Sequence, residues 1–361
     1  MLLKSLELIN FRNYNKFKLD FSDITVLVGY NGIGKSNILE AISMLSYAKS
    51  YRARNERNLI NWGNNYAQIK AVLEDDKKIN FVVSKFEEKI KKEVKINDIP
   101  ERLSNLIGTT KIVLFTPDSL RIITDSPRER RKFIDICLAQ VDKSYLNNLI
   151  KFKKIIRQRN ELLRHISFKK AKEKELDFWD REFADLTRSI IKKRLEFVKS
   201  IKNDLTRFYQ EISSKNDKIS INYESKFGDL ENIKDVICAF KEREIDAGKT
   251  LFGPHLDDLN IFINGKNVSE TGSRGEIRSL TLALKFSEIK FLKDKSKNKE
   301  ILLLLDDIFS ELDRSRRAQV VKAIRENQTV ITTTDLEFVK ISSPNNGKKI
   351  KIINLENGKN K

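Results

Sequence analysis

Apolar and polar positions change period several times along the chain, and each change predicts an element. Leu2–Phe11 alternates loosely, as a strand with one covered face does. Ile24–Val28 (ITVLV) is a β-branched run too short for a helix and closed by a glycine, so it predicts a strand. Ile38–Ala48 carries apolar residues at helical spacing. Gln68–Leu73, Ile79–Lys85 and Lys111–Phe115 return to strand character, and Pro100, Pro117 and Pro127 mark loops. From Arg128 to Phe227 there is neither glycine nor proline, and apolar residues recur three and four apart (Leu149, Phe152, Ile155, Ile156). This long stretch is therefore expected to be helical. After Gly228, Leu259–Ile263 with Gly265 predicts a hairpin and Ile277–Phe291 an amphipathic helix. Ile301–Leu305 (ILLLL) suits a strand buried on both faces of a parallel sheet, and Val330–Thr332 a last core strand. The fold class expected is α/β, with one domain built from both termini and a helical insertion between them. The boundaries expected are 1–125, 126–240 and 241–361.

Composition narrows the partners. Of 361 residues, 70 are Lys or Arg and 51 Asp or Glu, a formal net charge of +19. A chain this basic is expected to meet a polyanion or an anionic surface. The other account is a highly solvated, lysine-rich surface. Residues 149–202 hold 17 Lys and Arg against eight Asp and Glu, so much of the excess falls in the helical stretch. Either an exposed helical pair with a solvated face or a basic arm over nucleic acid fits that excess. No run approaches the ~18 apolar residues of a membrane span, and Glu7 and Asn10 interrupt any signal-peptide layout at the N-terminus. The expectation is a cytoplasmic protein with no membrane role. Cys137 and Cys238 are too few for a disulfide framework and are expected to be small buried residues. With only His165 and His255 present, a histidine metal site is not expected.

The chemistry begins at Gly29–Ser36, G-Y-N-G-I-G-K-S. It matches G-x-x-x-x-G-K-[ST] with a strand before it and a helix after it, the context that motif needs. Its glycines let backbone N–H groups wrap a phosphate chain, and the helix start adds partial positive charge. Nucleotide binding is assigned to Gly29, Tyr30, Asn31, Gly32, Ile33, Gly34, Lys35, Ser36 and Asn37. Lys35 would reach the β and γ phosphates, and the Ser36 hydroxyl would bind Mg²⁺.

The acidic partner of such a site sits at the end of a buried strand, and Asp306-Asp307 follow ILLLL. Asp306 is expected to hold Mg²⁺ through water, and Asp307 to orient the attacking water. Catalysis is thus assigned to Lys35, Asp306 and Asp307, and metal binding to Ser36 and Asp306. An aspartate reaches less far than a glutamate, so hydrolysis is expected to be slow, below roughly one turnover per second against a typical ten. Ser273-Arg274-Gly275-Glu276 opens the Ile277–Phe291 helix and makes a second anion site from Ser273 and Gly275. One nucleotide does not need two such sites; a pair of subunits facing each other would use both. Two further polar strings, Ser310-Glu311-Leu312-Asp313 and Thr332-Thr333-Thr334-Asp335, follow the acidic pair and the last core strand.

That order of motifs resembles the ABC ATPase heads, and the long helical insertion resembles their SMC/Rad50 branch. The N-terminal Leu8-Ile9-Asn10-Phe11-Arg12-Asn13-Tyr14 is similar too. Within the branch the chain resembles the bacterial recombination mediators. Phe115-Thr116-Pro117-Asp118, Gly253-Pro254-His255-Leu256-Asp257-Asp258 and the string from Leu304 to Asp313 carry that likeness.

The resemblance implies an ABC-type, Rad50-like P-loop ATPase head formed by both termini, with an inserted α-helical arm. It implies ATP and Mg²⁺ as cofactors and an ATP-dependent homodimer that clamps DNA. The signature Ser273 and Gly275 would close over the γ phosphate of the other subunit, and Arg12 would approach the nucleotide. It further implies weak, DNA-dependent ATP hydrolysis and action at boundaries of double- and single-stranded DNA. RecR and RecO are the implied partners, RecA loading the outcome, and DNA repair, recombination, replication and the SOS response the context. Two positions depart from the family pattern: Glu276 stands where glutamine is usual, and Leu256 where arginine is usual. The Q-loop glutamine of ABC proteins is not assigned.

For DNA contacts, Arg52, Arg54 and Arg57 follow the first helix and suit phosphates, although a solvated loop is equally compatible. Lys153, Lys154, Arg157, Arg159 and Arg164 of the insertion are a second candidate set. Aromatic residues do not interleave with either set along the sequence, which speaks against base stacking as the main mode. A transporter ATPase subunit and a short SMC-like organiser of DNA are the alternatives. The length of the insertion disfavours the first, and the lack of arms with sustained heptads the second.

Overall fold

In a computed structural model of the chain, residues 3–87, 89–228, 230–296, 300–334 and 348–355 are described. They form two units, Met1–Ser119 with Leu284–Lys361, and Leu120–Ala283. The strands of the N-terminal part are β1 (Leu3–Phe11), β2 (Tyr14–Asp20), β3 (Ile24–Val28), β4 (Tyr66–Leu73), β5 (Lys78–Phe86), β6 (Lys89–Ile96), β7 (Ile99–Glu101) and β8 (Ile112–Phe115). Further along come β9 (Ile219–Glu224), β10 (Asp258–Ile263), β11 (Lys266–Asn267), β12 (Leu302–Asp306), β13 (Gln328–Thr333) and β14 (Ile350–Asn354).

The first unit is organised by a five-stranded sheet in the order β14-β3-β13-β12-β8, every pair parallel. Strands β3, β8, β12 and β13 are buried along their whole length. Both of their faces are covered, which is why each reads as an unbroken apolar or threonine-rich run. Parallel pairing has one consequence for function. It brings the carboxyl ends of β3, β12 and β13 to one edge, with Asp306 opposite Thr332 and Thr332 opposite Leu27. Ligands of open α/β sheets bind outside that edge.

The second sheet of this unit is antiparallel, in the order β2-β1-β4-β5-β6-β7. Strand β4 alternates buried and half-buried positions along most of its length. Its inner face joins the helix Lys35–Tyr47 and the parallel sheet in one core, where Leu6, Phe11 and Phe81 share a cluster with Ile42, Leu45 and Leu304. Buried Gln328 ties β13 to β1. Its amide accepts from the Leu3 N–H and donates to the Leu3 carbonyl, both at 2.8 Å.

Two sequence expectations change here. Val330–Thr332 lies within β13, the last strand buried along its whole length; β14 pairs with β3 after it as a largely exposed edge. The glycine- and proline-free stretch is helical over Pro127–Ala139, Lys143–Ser167 and Leu176–Ser213, then becomes strand β9. Ser214, at φ 53, turns the chain out of the helix without a glycine, and Ile219 and Ile221 then point inward at period two. Cys137 is buried, but Cys238 is exposed.

The second unit packs those helices with Ile233–Ala247 and the small sheet β11-β10-β9. Its limits fall at Ser119/Leu120 and Ala283/Leu284, rather than at 125/126 and 240/241. The reason is pairing. Strand β10 runs antiparallel to β9, and Asp258 accepts two bonds from Arg130, at 2.7 and 2.9 Å. The string Gly253–Asp258 thus packs against the insertion's helices. In it, burial lowers the His255 pKa to about 4 and raises that of Asp257 to about 6, while Leu256, one of the two departures, is half exposed.

Two arginines form the polar centre of this unit. Arg194 donates to Asp135 (2.8 Å), Tyr145 (3.0 Å), Tyr223 (3.0 Å) and the Pro254 carbonyl (2.6 Å). Arg159 donates to Asp180 (2.8 Å), Glu244 (2.6 Å) and Thr250 (2.8 Å), and both Arg159 and Glu244 are fully buried. Arg159 is therefore withdrawn as a DNA contact. Lys153, Lys154, Arg157 and Arg164 of that set are exposed. Removing one partner of such a pair strands a buried charge, at about 3–5 kcal/mol. Arg159→Ala should lose that much stability in urea unfolding; a loss below ~1 kcal/mol would show that Glu244 finds other compensation.

Candidate nucleotide site

Strand β3 ends at Val28, and the loop Gly29–Gly34 leads into the helix Lys35–Tyr47. Gly34 is the tightest point. Its φ is 115°, and a Cβ there would lie 2.6 Å from the Tyr14 hydroxyl and 2.7 Å from Asn13 Nδ2. Only glycine meets both demands. Asn13 holds the loop from outside, donating to the Ile33 carbonyl at 2.9 Å and accepting from Asn37 Nδ2 at 2.8 Å. Gly32, at φ 85°, is open, as are Tyr30 and Asn31 at the loop's tip. Lys35 is buried, and its Nζ donates to the carbonyls of Gly29 (2.5 Å) and Tyr30 (3.0 Å). The ammonium therefore lies inside the curve of the loop.

Ser36 and Asp306 come from opposite ends of the sequence and meet at the sheet edge. Ser36 Oγ donates to Asp306 Oδ1 at 2.7 Å. Thr332 Oγ1 donates to the same oxygen at 2.9 Å, and the Tyr51 hydroxyl to Oδ2 at 3.1 Å. Burial and the Asp306 charge hold the Tyr51 pKa well above its ordinary value, which keeps the phenol a donor. Asp307 leaves the strand at φ 50°, and its N–H donates to Thr332 Oγ1 at 3.0 Å. A serine hydroxyl and an aspartate oxygen this close are the hard donors that Mg²⁺ takes, with phosphate and water completing the set.

Arg12 lies beside the same helix in a bidentate pair with fully buried Glu40, at 2.7 and 2.8 Å. Ser50 also donates to Glu40, and Arg52 donates to Asn37 Oδ1 at 3.2 Å. The sequence motifs did not single out Tyr51, Glu40, Asn13 or Ser50. Each acts through a partner distant in sequence, and only the short tract Ser50–Arg52, following the helix at a fixed offset, offered a local signal.

The family model described as the RecF/RecN/SMC N-terminal domain matches residues 2–359. The DNA replication and repair protein RecF of Clostridium perfringens is 35% identical over 360 residues, covering 98% of this chain and 99% of that protein. The RecF of Lachnoclostridium phytofermentans is 39% identical over 339 residues, covering 93% and 94%. A solved structure of the recombination mediator protein RecF with ATP superposes with a TM-score of 0.86 at 32% identity, covering 92% of each chain. The chain belongs to the RecF family. Its architecture is that family's ABC-type ATPase fold with a helical insertion.

In this RecF-family chain, Ser273 and Gly275 lie in the second unit, at the start of the helix Arg274–Lys295. The unusual Glu276 turns back onto Ser273. Its Oε2 accepts from the Ser273 N–H and the Ser273 hydroxyl, both at 2.8 Å, and the Glu276 N–H donates back to Ser273 Oγ at 3.3 Å. This is a capping box, and the two Ser273 bonds lower the Glu276 pKa. Of the later strings, Asp335 and the side chains of Ser310 and Glu311 lie outside the described residues. Asp313 caps the helix Arg314–Glu326 by accepting from the Arg316 N–H at 2.9 Å. Arg52 and Arg54 are exposed and Arg57 half-buried.

Gly34→Ala forces a strained backbone and a clash together, on the order of 1–3 kcal/mol for the backbone alone. Equilibrium binding of ATP should weaken by about tenfold or more. Unchanged affinity would mean that the loop relaxes freely.

Proposed function

We propose that this chain is an ATP-dependent DNA-binding protein of recombinational repair and replication that works as a nucleotide-gated clamp. The observation that carries the reading is the Ser36–Asp306–Thr332 cluster facing the glycine loop, in a chain that aligns nearly end to end with RecF proteins. Lys35 and the loop amides from Gly29 to Ser36 bind the phosphates of ATP, and Asn37 and Arg12 flank them. Ser36 and Asp306 hold Mg²⁺, which when bound offsets phosphate charge. Tyr51 and Thr332 fix the Asp306 carboxylate, so that its oxygens are presented at the site without rearrangement. Asp307 orients the attacking water. Its short side chain supports slow, DNA-stimulated hydrolysis suited to a switch.

Ser273 and Gly275 act on the nucleotide of a second copy. A ligand touching both copies stabilises the dimer by mass action, and two weak DNA half-sites become one bivalent site. Arg52, Arg54 and Arg57 supply phosphate contacts on double-stranded DNA and at its junctions with single strands. Hydrolysis reopens the dimer. RecR and RecO join the assembly to promote RecA loading in the cytoplasm. No helix among the described residues is long and apolar enough to cross a membrane.

Sedimentation and DNA titration with and without ATP test the clamp. ATP should shift the protein to a dimer and tighten DNA binding; failure of both would sink the reading. Ser273→Arg should abolish the ATP-driven dimer while monomer ATP binding persists. Asp307→Asn should slow hydrolysis by about 10²-fold or more and leave the ATP-bound dimer long-lived. Glu276→Gln keeps the capping geometry and removes a negative charge where a phosphate must approach. It should strengthen ATP-driven dimerisation about two- to fivefold, the scale of a charge at a helix start. Weaker dimerisation in that variant would show that the carboxylate helps.

A further inference from the structure

The helix Lys143–Ser167 of the second unit carries a run of charge that its own packing leaves unused. From Lys143 to Asn160 it holds six Lys and Arg and no Asp or Glu. One of the six, Arg159, is turned inward. The inner face is set by Tyr145, Leu149, Phe152, Leu163 and Ile166. Opposite it, Lys143, Asn147, Lys151 and Lys154 follow at intervals of four, four and three, with Arg157 three further on, and all five are exposed. Residues three and four apart share a helix face. The cations therefore form one stripe, about 21 Å long at the rise of an α-helix. Exposed Glu161 bounds it at the far end.

A cationic run on a helix is ordinarily part of a solvated face, and such faces alternate in sign. The partner helix Leu176–Ser213 does so. Lys193 pairs with Asp142 and Glu196 at 2.9 and 3.9 Å, Arg188 with Asp185 at 3.7 Å, and Arg207 with Asp204 at 2.9 Å. The stripe differs. Among the described residues, none of Lys143, Lys151, Lys154 and Arg157 forms an ion pair. Lys151, Lys154 and Arg157 are instead like-charge neighbours at three-residue spacing, which weakens a helix. Lys143 sits in a first turn without an acid, against the helix dipole. The capping Asp142 is already engaged by Lys193 and by the Tyr145 N–H. All of these costs fall when an external anion lies along the stripe.

The make-up of the stripe selects that anion. A duplex is a straight rod with about one charge per 1.7 Å of its axis, roughly twelve over such a length. Its backbone is met by cations and amide donors alone, and exposed Asn147 and Gln158 stand beside the lysines as donors. No aromatic ring is exposed between Lys143 and Arg157, so a single strand would find no stacking surface for its bases. Ile150, 39% exposed, is the apolar side chain within reach, short of the cluster of anchors that holds an acidic protein. We infer that the Lys143–Arg157 stripe of the inserted arm is a sequence-independent contact for the phosphates of double-stranded DNA. The inference deepens the DNA-binding reading above and rests on it.

Lys151→Gln, Lys154→Gln and Arg157→Gln together remove three cations and keep helix propensity close to the original. With ATP present, affinity for a blunt duplex should fall by about tenfold or more, and the slope of log affinity against log salt should become shallower by about three. ATP affinity should not change, and the melting temperature should hold or rise as the like-charge neighbours are lost. The control is Lys192→Gln, Lys199→Gln and Lys202→Gln on the partner helix, where Glu196 lies four residues after the first and three before the second. It removes the same net charge from a mixed face and should cost no more than about twofold. Equal losses in the two triple variants would overturn the inference, because net charge alone would then account for binding. A loss confined to oligothymidylate would defeat it in favour of single strands. Glu161→Gln removes the bounding acid and should tighten duplex binding about twofold; unchanged or weaker binding would count against the stripe. ATP-tightened duplex binding that survives the first triple variant intact would sink this inference alone. Absence of ATP-dependent duplex binding in the unsubstituted protein would sink the reading beneath it as well.

Discussion

The carboxylate of Asp306 is the constraint around which the nucleotide site is built. It ends a strand that is buried on both faces, so it cannot be left without partners; an ionised carboxyl carried out of water needs hydrogen bonds to remain charged. Three hydroxyls supply them, from Ser36, Thr332 and Tyr51. Each belongs to a different element: the helix after the glycine loop, the neighbouring strand, and the loop after that helix. The same carboxylate that would hold a cation therefore sets the loop, strand β13 and the start of the arginine-rich segment in register. Parallel pairing makes this possible, because it delivers the ends of β3, β12 and β13 to one edge. An antiparallel neighbour would send one of those ends to the far side.

What the sequence made legible was whatever chemistry is contiguous. G-Y-N-G-I-G-K-S marked its own strand, loop and helix, because its glycines and lysine act within one turn of chain. ILLLL followed by two acids marked a central strand for a comparable reason: burial on both faces removes the polar alternation. Partners contributed by other elements were not legible. Nothing around Tyr51 distinguishes it from any tyrosine after a helix, and nothing local to Glu40 inside an apolar helix points to Arg12 across it. Strand β6 was missed because only one of its positions is buried, and Lys92 on the inward-facing set interrupts its period of two. Strand β9 was missed because the absence of glycine and proline permits a helix without requiring one.

Glu276 shows how a departure from a family pattern acquires physical meaning only with geometry. A glutamate in a signature turn suggests electrostatic conflict with a phosphate. The capping box adds a reason for its presence, since the carboxylate satisfies the Ser273 N–H and hydroxyl that would otherwise be orphaned at a helix start. The two effects oppose each other. The monomer is stabilised by the contact that an incoming phosphate would have to displace. In the proposed nucleotide-driven dimer, such a turn would make closure more reversible than a vacant anion site would.

The net charge is informative once it is sorted by burial. The helical stretch 149–202 fitted either a solvated helical pair or a basic arm, yet Arg159 and Arg194 are inside it, each holding its guanidinium against acids, hydroxyls or carbonyls of the same unit. Those two charges hold helices together and are unavailable to a phosphate. Other cations stay at the surface, Arg52, Arg54, Lys153 and Arg157 among them. Counting lysines and arginines along a sequence weights these two populations equally, whereas binding depends on the second. Net charge therefore predicts that a polyanion is attracted, and only the pairing of each cation decides where it is held.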